Sequence, residues 1–179
     1  MDQWADGCLQ AKPRAKKPAQ AKWLSDDYVK FIRLSEYLID RNGEGVLGFI
    51  TNHSYLDNPT FLDMWQHLMR TFDRIYIMDL HGSSKKKEIT PDGEPDKNVF
   101  DIQQGVAILI AVKKTPTSKT KELATVYHSD LWGSRASKYA ALEEVTISTA
   151  NFVDVTPKKA PWPFNRLLKK SALDAVMGT

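Results

Sequence analysis

The sequence predicts an α/β fold that is only part of a sheet: two parallel strands and one further central strand, flanked by helices. GVLGFIT (residues 45–51) and RIYIMDL (residues 74–80) are short, nearly continuous apolar runs, as in strands covered on both faces. An amphipathic helical stretch lies between them, the arrangement of a right-handed parallel crossover. GVAILIAVK (residues 105–113) is the most strand-like run in the chain. Three central strands with two good helices make a thin core whose edges and apolar faces lack partners, so the segment reads as the second half of a larger sheet.

The elements follow in order. Residues 1–22 are rich in Ala, Lys, Pro and Gln and predict a disordered basic lead-in. Ser25 is placed to cap a helix with Asp26 and Asp27 in its first turn, and Tyr28, Phe31, Ile32, Ser35, Leu38 and Ile39 follow at helical spacing. Asn42-Gly43 stops it. Gly48 inside the first strand predicts close backbone packing. Asn58 and Pro59 are set to cap and open the next helix, whose buried face is Phe61, Met64, Trp65, Leu68 and Phe72. Residues 81–98 read as a long polar loop that is either mobile or a binding loop. LATVYH is a candidate short strand, DLWGSR a turn and SKYAALEEV a short helix. Residues 146–179 form a basic tail with a Pro-limited second helix, a possible start of a following region.

Composition narrows the function classes. The 179 residues suit one domain, and 25 Lys and Arg against 22 Asp and Glu give a net charge of +3, too small to announce nucleic-acid binding alone. Basic clusters at 12–22, 85–87, 113–121, 158–159 and 166–170 form a footprint only if they converge on one face; otherwise they are solvated surface. A single cysteine, Cys8, excludes an internal disulfide and any cysteine metal motif. No apolar run approaches membrane-spanning length and no signal-peptide core is present, so the expected location is the cytoplasm.

Several side chains stand where chemistry would sit. Asn52, His53, Ser54 and Tyr55 follow a predicted parallel strand, the end at which open α/β sheets place ligands. Asn52 and Ser54 are candidate pocket-wall residues, or else they shape the turn by bonding nearby backbone. His53 has no carboxylate beside it in sequence, which predicts a turn role, and Tyr55 reads as a staple against the next helix. Asp57, Asp63, Asp79 and Asp101 make no compact motif, so no metal site is predicted, and Asp79 with His81 reads as a strand end satisfying a turn. Lys85, Lys86 and Lys87 are candidate DNA-backbone contacts on the polar loop, with Arg166, Lys169 and Lys170 as a possible extension. Trp132, Trp162 and Phe164 read as packing residues.

The run GVLGFITNHSYLDNPTF, then TFDRIYIMDLHG, the PDG loop, KNVFDIQQGVAILIAVKK and DLWGSRASKY, resembles adenine-specific DNA methyltransferases of type ISP restriction-modification enzymes. The resemblance starts at KWLSDDYVKFIRLSEYLI and covers roughly residues 22–145, taken as the C-terminal half of a methyltransferase domain over 23–145. It implies a Rossmann-like, S-adenosylmethionine-dependent sheet in which residues 45–51, 74–80 and 105–113 are the fifth, sixth and antiparallel seventh strands, the seventh inserted between the other two. It also implies that Phe100 stacks on a flipped adenine, whereas the residue pattern alone favours its filling core space at the entrance to the 105–113 strand. The first four strands, the glycine-rich cofactor turn and the Asn-Pro-Pro-Tyr motif are missing, and no catalytic residue is carried over. In related enzymes that motif accepts the adenine N6 hydrogens and aims the lone pair at the methyl group.

The expectation is therefore a fragment of a DNA adenine-N6 methyltransferase that is inactive alone and binds no S-adenosylmethionine by itself. DNA is the partner of the intact enzyme, and a separate chain carrying the N-terminal half is a possible second partner. The alternatives are a noncatalytic DNA-binding or partner-binding module, or one piece of a split methyltransferase.

Overall fold

The computed structural model describes residues 23–114 and 123–157. Helix α1 (Asp27–Asn42) leads into strand β1 (Gly45–Asn52), two 3-10 turns (His53–Tyr55 and Pro59–Phe61), helix α2 (Leu62–Thr71) and strand β2 (Arg74–His81). A long connection reaches β3 (Val106–Lys113), followed by β4 (Thr125–Asp130), α3 (Arg135–Glu144) and the two-residue β5 (Val153–Asp154).

The sheet order is β1-β3-β2-β4-β5. β3 runs antiparallel to β1 from Gly45↔Lys113 to Asn52↔Val106, and antiparallel to β2 from Arg74↔Val112 onward. β1 and β2 are thus parallel to each other with β3 inserted between them, the order that the sequence resemblance implies. The expectation of three strands falls short, because β4 pairs with β2 in parallel (Arg74↔Thr125 to Asp79↔Asp130) and β5 extends the edge. β4 is short and its burial alternates, which is why LATVYH gave a weak signal.

One sheet face packs on α1 and α2. Ile75, Ile77, Ala107, Leu109 and Ala111 meet Ile32, Met64, Trp65, Leu68 and Phe72 in a closed core. Each fully buried Leu, Ile or Phe there contributes roughly 1.5–3 kcal/mol. Asn58 Oδ1 accepts from Thr60 N, with Pro59 in the first position, as the sequence predicts. Tyr55 is fully buried, stacks on Trp65 and accepts its indole N–H through the backbone carbonyl, so it pins the turn to α2.

Three local expectations are overturned. Asp26, not Ser25, occupies the N-cap of α1. The α1 stripe is only partly covered: Val29, Ile32 and Glu36 are buried, whereas Phe31 and Leu38 are each 54% exposed. A Cβ on Gly48 would meet nothing within 4 Å, so that glycine serves no close packing.

The other sheet face carries a smaller cluster of Met78, Leu80, Val99 and Val106. α3 is attached there by Lys138, whose side chain is 0% exposed and paired with the equally buried Asp96 at 2.7 Å. Lys138 Nζ also donates to the carbonyls of Leu80 and Lys97, so all three ammonium protons are used. Removing one partner of such a pair strands a buried charge. Lys138→Met is expected to lower unfolding free energy by about 3–5 kcal/mol, measured by urea denaturation.

Candidate functional site

The carboxyl ends of β1, β2 and β4 lie at one edge of the sheet, where the chain leaves β2 in a bulge between Asp79 and His81. His81 has φ +51 and Gly82 φ +82. A Cβ on Gly82 would fall 2.4 Å from the Asn98 backbone, so only glycine permits this crossing. The left-handed turn aims the His81 ring back over the sheet edge, a backbone cost met by what the ring touches.

Asp79 Oδ1 accepts from His81 N at 2.9 Å and lies 2.9 Å from His53 Nδ1. His81 Nε2 lies 2.8 Å from Asp130 Oδ1, while its Nδ1 faces Asp79 Oδ2 at 3.6 Å and Glu88 Oε1 at 3.9 Å. The last two are ion-pair distances rather than hydrogen bonds. Trp132 covers the ring, with centroids 3.4 Å apart and planes within 11°. His128 lies beside the cluster, its Nδ1 3.7 Å from Asp130 Oδ2.

The electrostatics follow from these contacts. Burial alone would push His81 down, but the Asp130 hydrogen bond, the Glu88 carboxylate and the charge of Asp79 outweigh it, raising its pKa to about 9. Burial would likewise push Asp79 up, yet the hydrogen bond from His53 and the charge on His81 hold its carboxyl below the usual value. Glu88 is lowered against its own burial by His81 and by the Ser83 amide, which donates to Oε2 at 2.7 Å. Burial lowers His128. His53, His81 and Glu88, and also Asp79, His81 and Asp130, bring possible ligand atoms within 4.8 Å of one another. The tightest contacts in the cluster are His81 Nε2–Asp130 Oδ1 at 2.8 Å and His53 Nδ1–Asp79 Oδ1 at 2.9 Å.

The sequence-based reading of His53 as a turn residue without a carboxylate is corrected: its ring is buried against Asp79, 26 positions away in sequence. Gly105 makes room for it, since a Cβ there would lie 2.4 Å from His53 Nε2. Asn52 and Ser54 are half-buried and bound to each other, Asn52 Oδ1 accepting from Ser54 N at 2.8 Å and Ser54 Oγ at 2.6 Å. Lys85, Lys86 and Lys87 are exposed, and Lys86 reaches Asp57 at 2.9 Å. Arg166, Lys169 and Lys170, like Trp162 and Phe164, lie outside the described residues.

Phe100 does not fill the core; the residue is 42% exposed on the return segment of the long connection. Every residue around it is tied. Lys138 holds Asp96 and the Lys97 carbonyl, Arg135 Nε donates to the Asn98 carbonyl, Tyr139 OH to the Val99 carbonyl, and Arg135 pairs with Asp101. The Asn98 side chain accepts from Phe100 N and donates to the carbonyls of Gly82, Ile102 and Gln104. Sequence reasoning missed Asn98, Arg135, Lys138 and Tyr139. Polar residues in a loop beside an i, i+3, i+4 polar set on a short helix were the only signal.

A scan of protein-family models finds no match, and no curated protein matches the chain. Solved structures do. The chain is similar to the ATP-dependent Type ISP restriction-modification enzyme LlaBIII bound to DNA, with 26% identity, a TM-score of 0.69, and 89% of this chain covered. It also resembles a DrdV–DNA complex (22%, 0.65, 79% covered) and a nuclease-deletion mutant of the Type ISP enzyme LlaGI with a DNA substrate mimic (23%, 0.63, 76% covered). The chain spans only 11–13% of the length of those chains. Among the described residues no helix is long and apolar enough to cross a membrane.

The pKa directions fix a stability profile. His81 is raised from 6.5 to about 9, so its contribution is complete below pH 6.5 and is lost as pH rises through 9. Asp79 and Glu88 are lowered, so theirs is complete above their ordinary values of 3.8 and 4.5 and is lost on acidification. Urea midpoints measured against pH are expected to fall as pH rises from 6.5 through about 9, where His81 loses its proton, and to be drawn down below 6.5 by His128, which burial keeps neutral in the fold. They should fall again above 10, where burial holds the Tyr28 and Tyr55 hydroxyls protonated only in the folded state.

Proposed function

We propose that this chain is the C-terminal part of the methyltransferase domain of a type ISP restriction-modification enzyme, contributing to adenine-N6 methylation of DNA. The observation that carries the reading is Phe100: a large aromatic ring left exposed on a segment hydrogen-bonded at each residue from Asp96 to Asp101. An exposed apolar ring on a mobile loop would be unremarkable; on a rigid one it is a ready stacking platform, because no ordering entropy remains to oppose binding. Stacking recovers part of the cost of extruding a base from the duplex. The similarity to LlaBIII over most of the chain supports the same reading.

The chain does not contain the groups that complete the reaction. It has neither a glycine-rich cofactor turn nor an Asn-Pro-Pro-aromatic motif, so its residues do not fit an S-adenosylmethionine cradle and no transfer step is assigned to them. Those groups belong to polypeptide outside the 179 residues. The open side of the sheet accords with this: among the described residues β1 pairs only with β3, and beside it Val46 (65%), Ile50 (51%) and Phe31 stand exposed. A bare edge strand carrying exposed apolar side chains is where a sheet can continue. Lys85, Lys86 and Lys87 would meet phosphates, and the DNA partner would be bound in a salt-dependent manner.

In this reading the purified chain transfers no methyl group from labelled S-adenosylmethionine to DNA. Coexpressed with a polypeptide carrying the missing motifs, it supports transfer, and Phe100→Ala cuts turnover roughly 10- to 100-fold. Cofactor-dependent methylation by the chain alone would contradict the assignment.

A further inference from the structure

The connection between β2 and β3 is held in two halves by different chemistry. The return half, residues 96–104, is fixed by Lys138, Arg135, Tyr139 and Asn98. The outgoing half, residues 83–95, carries the exposed lysines and turns back on itself through Glu88 N to Ser83 O, Thr90 N to Glu94 O and the Ile89↔Pro95 bridge. Its charged ties to the rest of the fold are of two kinds. Lys86–Asp57 is exposed and worth little. Glu88 is half-buried, clamps the Ser83 amide with Oε2 and turns Oε1 toward His81.

We infer that His81 is a positioning residue that latches the lysine-bearing half of this loop onto the sheet edge, holding Lys85, Lys86 and Lys87 in place only while its ring carries a proton. The consequence for DNA rests on the function proposed above; the latch itself does not.

The geometry permits little else. Every charged neighbour from the packed elements is accounted for: Asp79 on β2, Glu88 on the loop, Asp130 and His128 on β4, and His53 on the turn after β1. Asp79 and Asp130 are register partners on adjacent strands, so two carboxylates stand side by side, and Glu88 approaches His81 from the loop. Like charges so placed repel, and His81 is the group set between them. With His53 held on Asp79 and perpendicular to His81 at 6.3 Å, no other ring can replace it. Trp132 stacks flat on the imidazolium, which favours the cation and shields it from water. Loss of the proton leaves a neutral imidazole with a single N–H, which Asp130 at 2.8 Å takes, and Glu88 at 3.9 Å loses its countercharge. The outgoing half then detaches, while the return half, held by Lys138, Arg135, Tyr139 and Asn98 with no part played by His81, keeps Phe100 where it is.

The test uses the full chain. The His81 ring proton is titrated by NMR, and trypsin cleavage after Lys85, Lys86 and Lys87 is followed by mass spectrometry from pH 7.5 to 9.5, normalised to a peptide of residues 82–92. Cleavage tracks the open population of the loop. His81 should titrate near 9, and normalised cleavage should rise roughly tenfold across the range. His81→Asn keeps a residue that tolerates positive φ while removing the charge, so it separates latch from strain and should cleave fast at every pH. Glu88→Gln, which leaves β2 untouched, should flatten the profile too, and it decides the matter should His81→Asn fail to fold. A His81 that titrates below 7, or a flat wild-type profile, overturns the latch. Duplex DNA binding measured at both pH values reads the other reading separately: weaker binding at pH 9.5 in wild type but not in Glu88→Gln supports the link, and no binding at either pH overturns the DNA assignment while the proteolysis stands.

Discussion

A carboxylate brought into the fold must find protons to accept, and at the carboxyl edge of this sheet Asp79 finds them from the His53 ring and the His81 amide, with the His81 ring 3.6 Å away as a countercharge. That requirement joins the turn after β1 to β2, forces the left-handed step at His81, and through Asp130 and Glu88 draws in β4 and the long connection. Gly82 and Gly105 are glycines for the same reason, one letting the chain cross Asn98 and the other leaving room for the His53 ring. The network stabilises only as a whole, since each member removed leaves a buried polar group without its partner.

The second constraint is mechanical. α3 is a short helix with a single buried side chain, and that side chain is a lysine. Its role is less to fill a core than to grip the connection through Lys138, Arg135 and Tyr139, so that an 18-residue polar stretch read from sequence as mobile or binding becomes a fixed presentation of Phe100. Rigid backbone under an exposed aromatic ring is the feature that links fold to the proposed base contact.

How much of this was legible follows from range. β1, β2, β3 and α2 announced themselves through local apolar pattern and the Asn58-Pro59 cap, although β1, expected to be covered on both faces, buries only the face of Leu47 and Thr51 and leaves Val46 and Ile50 exposed. The partners of His53, Asp96 and Asn98 lie 26, 42 and 16 residues away, and no local pattern encodes such pairs. The α1 face misled for another reason. Its apolar spacing describes a helix with more to bury than the described residues cover, and Phe31 and Leu38 stand exposed. The chain spans about a tenth of the length of the enzymes it resembles.

The account stands on the chain alone holding this edge in order, and backbone amide exchange by NMR reads that most directly. The amides of His81 and Phe100, bonded to the side chains of Asp79 and Asn98, should exchange as slowly as those of central β3. Exchange of both at the rate of a free peptide, with β3 still protected, would show that the network and the fixed aromatic platform do not exist in this chain.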